Sequence, residues 1–129
     1  TSATINSNIY ESKIKEKNNN IKVTNLATPK LVPLIENMEM TKEALNEYLN
    51  PYNDIDSIIL ACTHYKLIEK EIDKNIKVIN SSDSIVNTIK NYIIESTTGS
   101  VKIYTTGNII KFNKICKMIM NKEADYLDL

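Results

Sequence analysis

The chain has 129 residues, 42% hydrophobic and 25% charged, which places it among globular proteins long enough to bury a real core. Its formal net charge is zero and its 16 basic residues are scattered, which argues against a nucleic-acid or polyanion binder. All of them are Lys, so no bidentate guanidinium clamp exists, and any anion must be held by backbone N–H groups, hydroxyls or Lys. No apolar run approaches the roughly 20 residues of a membrane-spanning helix, and no stretch reads as a signal peptide. Cys62 and Cys116 are far apart without CxxC spacing, and reduced cytoplasmic thiols are the expectation.

In chain order, Thr4 to Lys17 places Ile5, Ile9 and Ile14 at helical spacing. Asn18-Asn19-Asn20 is a polar break, and Ile21 to Leu26 reads as a strand. Pro29 and Pro33 bracket the start of a short apolar helix, Leu31 to Asn37, and Thr41 to Leu49 reads as another. Asp56 to Cys62 is a continuously apolar strand, the pattern of a parallel strand covered on both faces. His64 to Lys74 is amphipathic, and Ile76 to Ile79 is a strand. Ser81 or Ser82 is expected to cap a helix running to Glu95, with Ile85, Val86, Ile89, Tyr92 and Ile93 inward. Thr97 to Gly99 is a turn, Val101 to Tyr104 a strand, and Asn108 the cap of a last helix with Cys116 in its apolar stripe. Asp125 to Leu129 alternates like an edge strand. Strand–helix alternation indicates an α/β class with a mostly parallel sheet flanked by helices.

The chemistry concentrates where the apolar strand ends in Cys62-Thr63-His64. Ligands of α/β proteins sit at that strand edge. A thiol just before a helix meets unpaired N–H groups and the positive end of the helix dipole, and both favour thiolate. His64 can serve as acid or base, and Thr63 offers a hydroxyl and N–H groups to an anion. Together they would hold an α-carboxylate beside a thiolate. The same residues also fit a small buried Cys and a surface His. Cys116, in a helix stripe, reads as core.

Several segments resemble glutamate racemases of the Asp/Glu racemase superfamily. Leu60-Ala61-Cys62-Thr63-His64-Tyr65-Lys66-Leu67-Ile68 is similar to their CTHYPL segment. Thr1-Ser2-Ala3-Thr4-Ile5-Asn6-Ser7 with Tyr10 resembles GTxATVxSxxY, its Gly falling before residue 1. Leu26-Ala27-Thr28-Pro29 and Leu31 to Glu36 resemble ACPxFVPLVE, Val78-Ile79-Asn80-Ser81 resembles (V/L)IDS, and Tyr104 to Asn108 with Lys111-Phe112 resembles YTTGDPxxF.

The resemblance implies a cofactor-independent racemase that interconverts L- and D-glutamate with two thiols on opposite faces of the substrate. One thiolate takes the α-proton and the other thiol returns one, supplying D-glutamate for peptidoglycan. Cys62 and His64 match catalytic positions, Cys62 being the thiol that deprotonates the L-enantiomer. Thr63, His64, Thr1 and Thr4 match substrate-binding positions, and Glu36 lines the site. Thr28 stands for the family's usual Cys, Lys66 for Pro and Asn80 for Asp. The family's DSGxGG turn and the ACNTA segment with the first catalytic Cys have no counterpart here.

Family members run to about twice this length. Residues 1–81 are therefore expected to be the second α/β lobe, lacking its first strand, and residues 82–129 the returning segment that completes the N-terminal lobe. The implied partners are the glutamate substrate and that missing lobe, with no nucleic acid and no membrane. The chain alone is expected to be inactive and to leave apolar helix surface exposed on 82–95 and 108–120. A homodimer, strand exchange or poor solubility would be the physical response. The alternatives are an aspartate or other amino-acid racemase of the same superfamily, or a truncated non-catalytic product.

Overall fold

The computed structural model describes residues 2–94 and 99–129. Thr1, the expected end of the long helix at Glu95, and most of the Thr97–Gly99 turn lie outside the described residues. The chain divides into two compact units, Thr1–Asn91 and Tyr92–Leu129.

The first unit opens with helices α1, Ser2–Asn6, and α2, Ile9–Lys17. The single helix expected over Thr4–Lys17 is broken at Ser7 and Asn8. Asn8 takes the left-handed conformation with φ 52°, and the Ser7 hydroxyl donates to the Thr4 carbonyl at 2.7 Å. Short polar side chains compete with helical bonding in this way. The strand expected over Ile21–Leu26 does not form; the stretch carries no ladder, and the Asn25 amide donates instead to Glu11 at 3.0 Å.

Helix α3, Leu31–Glu36, and helix α4, Lys42–Leu49, follow as the sequence indicates. The Thr41 hydroxyl caps α4 by accepting the Ala44 N–H at 3.2 Å, satisfying one of the orphan donors of a helix start. Strand β1, Ser57–Leu60, then runs into a 3₁₀ helix, Thr63–Glu71, and strand β2, Lys77–Asn80. The strands pair in parallel, Ser57 opposite Lys77 through Leu60 opposite Asn80. Parallel pairing needs a crossover, and the 3₁₀ helix supplies it. The core is Leu31, Ile35, Leu45, Leu60, Ile68 and Ile72, which seats the crossover on α3, α4 and β1.

Helix α5 spans Ser81–Ile89, with Asn80 rather than Ser81 or Ser82 as its cap. The Asn80 side chain accepts the Asp83 N–H at 2.7 Å. The apolar stripe of this helix is exposed, as expected for 82–95 in this chain alone: Ile85, Val86 and Ile89 are 55%, 54% and 45% exposed, and Tyr92 and Ile93 are exposed as well. Periodicity identifies the apolar face but not what covers it.

In the second unit, strand β3, Tyr104–Thr105, pairs in parallel with strand β4, Asp125–Tyr126, across helix α6, Ile109–Met120. Asn108 caps α6 by accepting the Lys111 N–H at 3.0 Å, as the sequence indicates. Asn113 holds the return to β4, its amide oxygen accepting the Ala124 N–H at 2.7 Å. Cys116 is buried, as expected of a core thiol. The strand pairs in both units are parallel and joined by helices, so the chain is α/β. Among the described residues no helix is long and apolar enough to cross a membrane.

Candidate active site

Strand β1 ends at Leu60, whose buried side chain anchors the strand in the core. Two residues later Cys62, in extended conformation, stands at the cap position of the 3₁₀ helix. Its thiol is half-buried, and its carbonyl accepts the Tyr65 N–H at 3.1 Å, closing the first helical turn. The first N–H groups of a helix have no partner inside it, so a thiolate here faces donors and the positive end of the peptide dipoles.

His64 turns back toward the thiol, with Nδ1 3.6 Å from the Cys62 Sγ. On its other side Nε2 lies 3.2 Å from Oε1 of Glu36, at the last residue of α3. A carboxylate accepts only, so this contact keeps the proton on Nε2 and leaves Nδ1 free to accept. The three side chains form a line, thiol to imidazole to carboxylate. Such a line can draw the thiol proton onto the ring and hold the resulting imidazolium.

Thr63, the first residue of the 3₁₀ helix, is exposed to solvent beside Cys62. Thr4 sits half-buried on α1, away from the β1–3₁₀ junction in the chain, and Thr1 lies outside the described residues. Of the residues singled out in the sequence, Cys62, His64 and Glu36 are in contact, with Thr63 next to Cys62 in the chain.

Two further groups support this line. The Tyr65 hydroxyl shares a short hydrogen bond with the Thr28 hydroxyl, tying the 3₁₀ helix to the loop before α3. Burial pushes the Tyr65 hydroxyl above its ordinary value, the Thr28 bond draws it partly back, and charge on Cys62 pushes it up again. On the far side Lys66 pairs with Glu69 at 2.8 Å and with Asp83 of α5 at 3.0 Å. Partners this remote in sequence leave no spacing signal. Lys66 and Glu69, three apart, are the one pair that helical spacing could have found.

No protein-family model matches the chain. It is 34% identical over 135 residues to a glutamate racemase from a Hydrogenobaculum species, covering 97% of this chain and 51% of that protein. A Streptococcus mutans glutamate racemase is 36% identical over 132 residues, covering 89% of this chain and 50% of the relative. Among solved structures, a Francisella tularensis glutamate racemase in complex with D-glutamate superposes with TM-score 0.77 and 29% identity, over 100% of this chain and 54% of the other. A glutamate racemase isoform from Bacillus anthracis superposes with TM-score 0.73 and 26% identity, over 100% and 55%. The chain spans about half the length of the curated relatives it matches. In sequence and in fold it is similar, over nearly its whole length, to about half of a glutamate racemase.

Proposed function

We propose that these residues are the C-terminal part of a glutamate racemase and furnish one of its two acid/base thiols. The line of Cys62, His64 and Glu36 at the end of β1 is the observation that carries this reading. The Cys62 thiol passes its proton to Nδ1 of His64, and Glu36 holds the imidazolium through Nε2–H. The thiolate then takes the α-proton of L-glutamate, forming the S–H bond as the C–H electron pair moves to the α-carbon. A thiol on the opposite face returns a proton to that carbon, which inverts the centre. Thr63, with Thr1 and Thr4, binds the substrate's carboxylates through hydroxyl and N–H donors. That fits a chain without Arg.

In this reading residues 1–81 form the second lobe and residues 82–129 return to the first. The partner is the lobe that carries the second thiol, and the compartment is the cytoplasm, where thiols stay reduced. That the Francisella relative was solved with D-glutamate supports the choice of substrate.

Circular dichroism of L-glutamate tests the reading. The signal should decay to zero with a full-length protein containing these residues. It should persist with Cys62→Ala, and decay about 10²- to 10⁴-fold more slowly with His64→Asn. The 129-residue chain alone should leave it unchanged. Racemisation that survives Cys62→Ala sinks the proposal. Exchange of the α-proton in deuterated water, with glutamate and aspartate side by side, separates the two substrates.

A further inference from the structure

The 3₁₀ helix that carries His64 is nine residues long, whereas 3₁₀ bonding rarely sustains more than about four. Its own hydrogen bonds hold it poorly, so its position depends on outside ties. One is Ile68 in the core, and another is the contact of His64 with Glu36. The third is polar and lies on another face of the helix. The Lys66 ammonium reaches Oε2 of Glu69 at 2.8 Å and Oδ2 of Asp83 at 3.0 Å. The buried Asn80 amide donates to the same two oxygens, at 2.9 Å and 2.7 Å. Two carboxylates thus share one cation and one amide donor, in a closed ring joining the helix to the end of β2 and the start of α5.

We propose that Lys66 is a positioning residue for the Cys62 thiol, its bracket with Glu69, Asn80 and Asp83 holding His64 in register with the sulfur. Without the cation the carboxylates of Glu69 and Asp83 repel across the ring, and the helix loses its tie to α5. His64 lies two residues before Lys66 on that helix, so its 3.6 Å contact with Sγ loosens with it. The inference rests on the racemase reading only for what the thiol does. It is tested without turnover, so a failed racemase assay and a failed positioning test remain separate results.

The test is alkylation of the 129-residue chain by iodoacetamide at pH 7, followed peptide by peptide by mass spectrometry, with buried Cys116 as internal control. Lys66→Met should slow labelling of Cys62 about three- to tenfold, because the thiolate is the nucleophile and its partner has moved. Asp83→Ala should slow it as well. That variant removes a negative charge, and charge alone would speed the reaction. Lys66→Arg should restore the parental rate, and Cys116 should stay protected in every variant. An unchanged rate in Lys66→Met overturns the proposal. Opposite changes in Lys66→Met and Asp83→Ala overturn it too, since distant charge then explains both. So does faster labelling of Cys62 in Lys66→Met, or labelling of Cys116 that rises in either variant, since the bracket then only stabilises the fold.

Discussion

Cys62 reaches Glu36 only through His64, so at the scale of single residues the site depends on what holds that imidazole and its neighbour Tyr65. The Tyr65 ring packs on the core while its hydroxyl meets Thr28. Burial, ahead of every other influence, lifts that hydroxyl above 10.0, so the folded state keeps its proton more tightly than the unfolded state. The associated stability is complete below the unfolded value and is lost as pH climbs through the folded one. Tyr65→Phe should therefore cost about 1 kcal/mol at neutral pH, with the Thr28 bond gone. It should also decline less steeply than the parent between about pH 9 and pH 11. Urea midpoints across that range are the check, and parallel curves for the two proteins would refute it. The sequence reveals Cys62 and His64 as chemical neighbours because they are two residues apart on one chain. Thr28 and Tyr65 are 37 apart, and only the fold shows that they meet.

At the scale of elements, Asn80 shows why the junction of β2 and α5 was half-legible. Three cap-competent residues stand in a row, Asn80, Ser81 and Ser82, and composition cannot rank them. The structure selects Asn80 because it alone caps the helix while its amide serves Glu69 and Asp83. An Asp, which the similar racemase segment carries, would still cap but would donate nothing. Asn80→Asp should thus cost about 1–3 kcal/mol at neutral pH, three carboxylates then crowding one ammonium. The parent behaves differently toward acid. Lys66 first, and the Asn80 amide second, hold the Asp83 carboxyl below its ordinary 3.8. Its contribution is therefore present above that value and lost as pH falls through the folded one. Thermal midpoints should show the gap between variant and parent narrowing as pH drops from about 7 to about 4, where the crowded carboxylates protonate. A variant melting with the parent at pH 7 would contradict the assignment of the amide. The same logic explains the 3₁₀ crossover, which reads as an ordinary amphipathic helix because side-chain pattern reports the buried face and not the backbone pitch.

At the scale of the molecule, the parallel strands and helical crossovers were legible because continuous apolar strands alternate with amphipathic stretches. An apolar stripe looks the same whether its partner lies in the same unit or elsewhere, and only the resemblance to longer proteins made exposure on 82–95 and 108–120 the expectation. Within the first unit, Ile85, Val86 and Ile89 form a stripe on α5 that remains about half exposed. Ile59 and Ile79, paired across β1 and β2, are also exposed, on the sheet face opposite the buried Leu60 and Asn80. Soluble monomers rarely leave contiguous apolar surface of this kind in water. Relatives about twice as long are consistent with it, and the N-terminal lobe proposed above would cover it. The isolated chain should therefore self-associate, its sedimentation coefficient rising with concentration. Ile85→Lys with Ile89→Lys should suppress that rise and shift unfolding stability by no more than about 0.5 kcal/mol each, because neither side chain belongs to the core. A parent chain that sediments as a monomer at every concentration would show that this surface tolerates water. The proposed covering lobe would then rest on the length of the relatives alone.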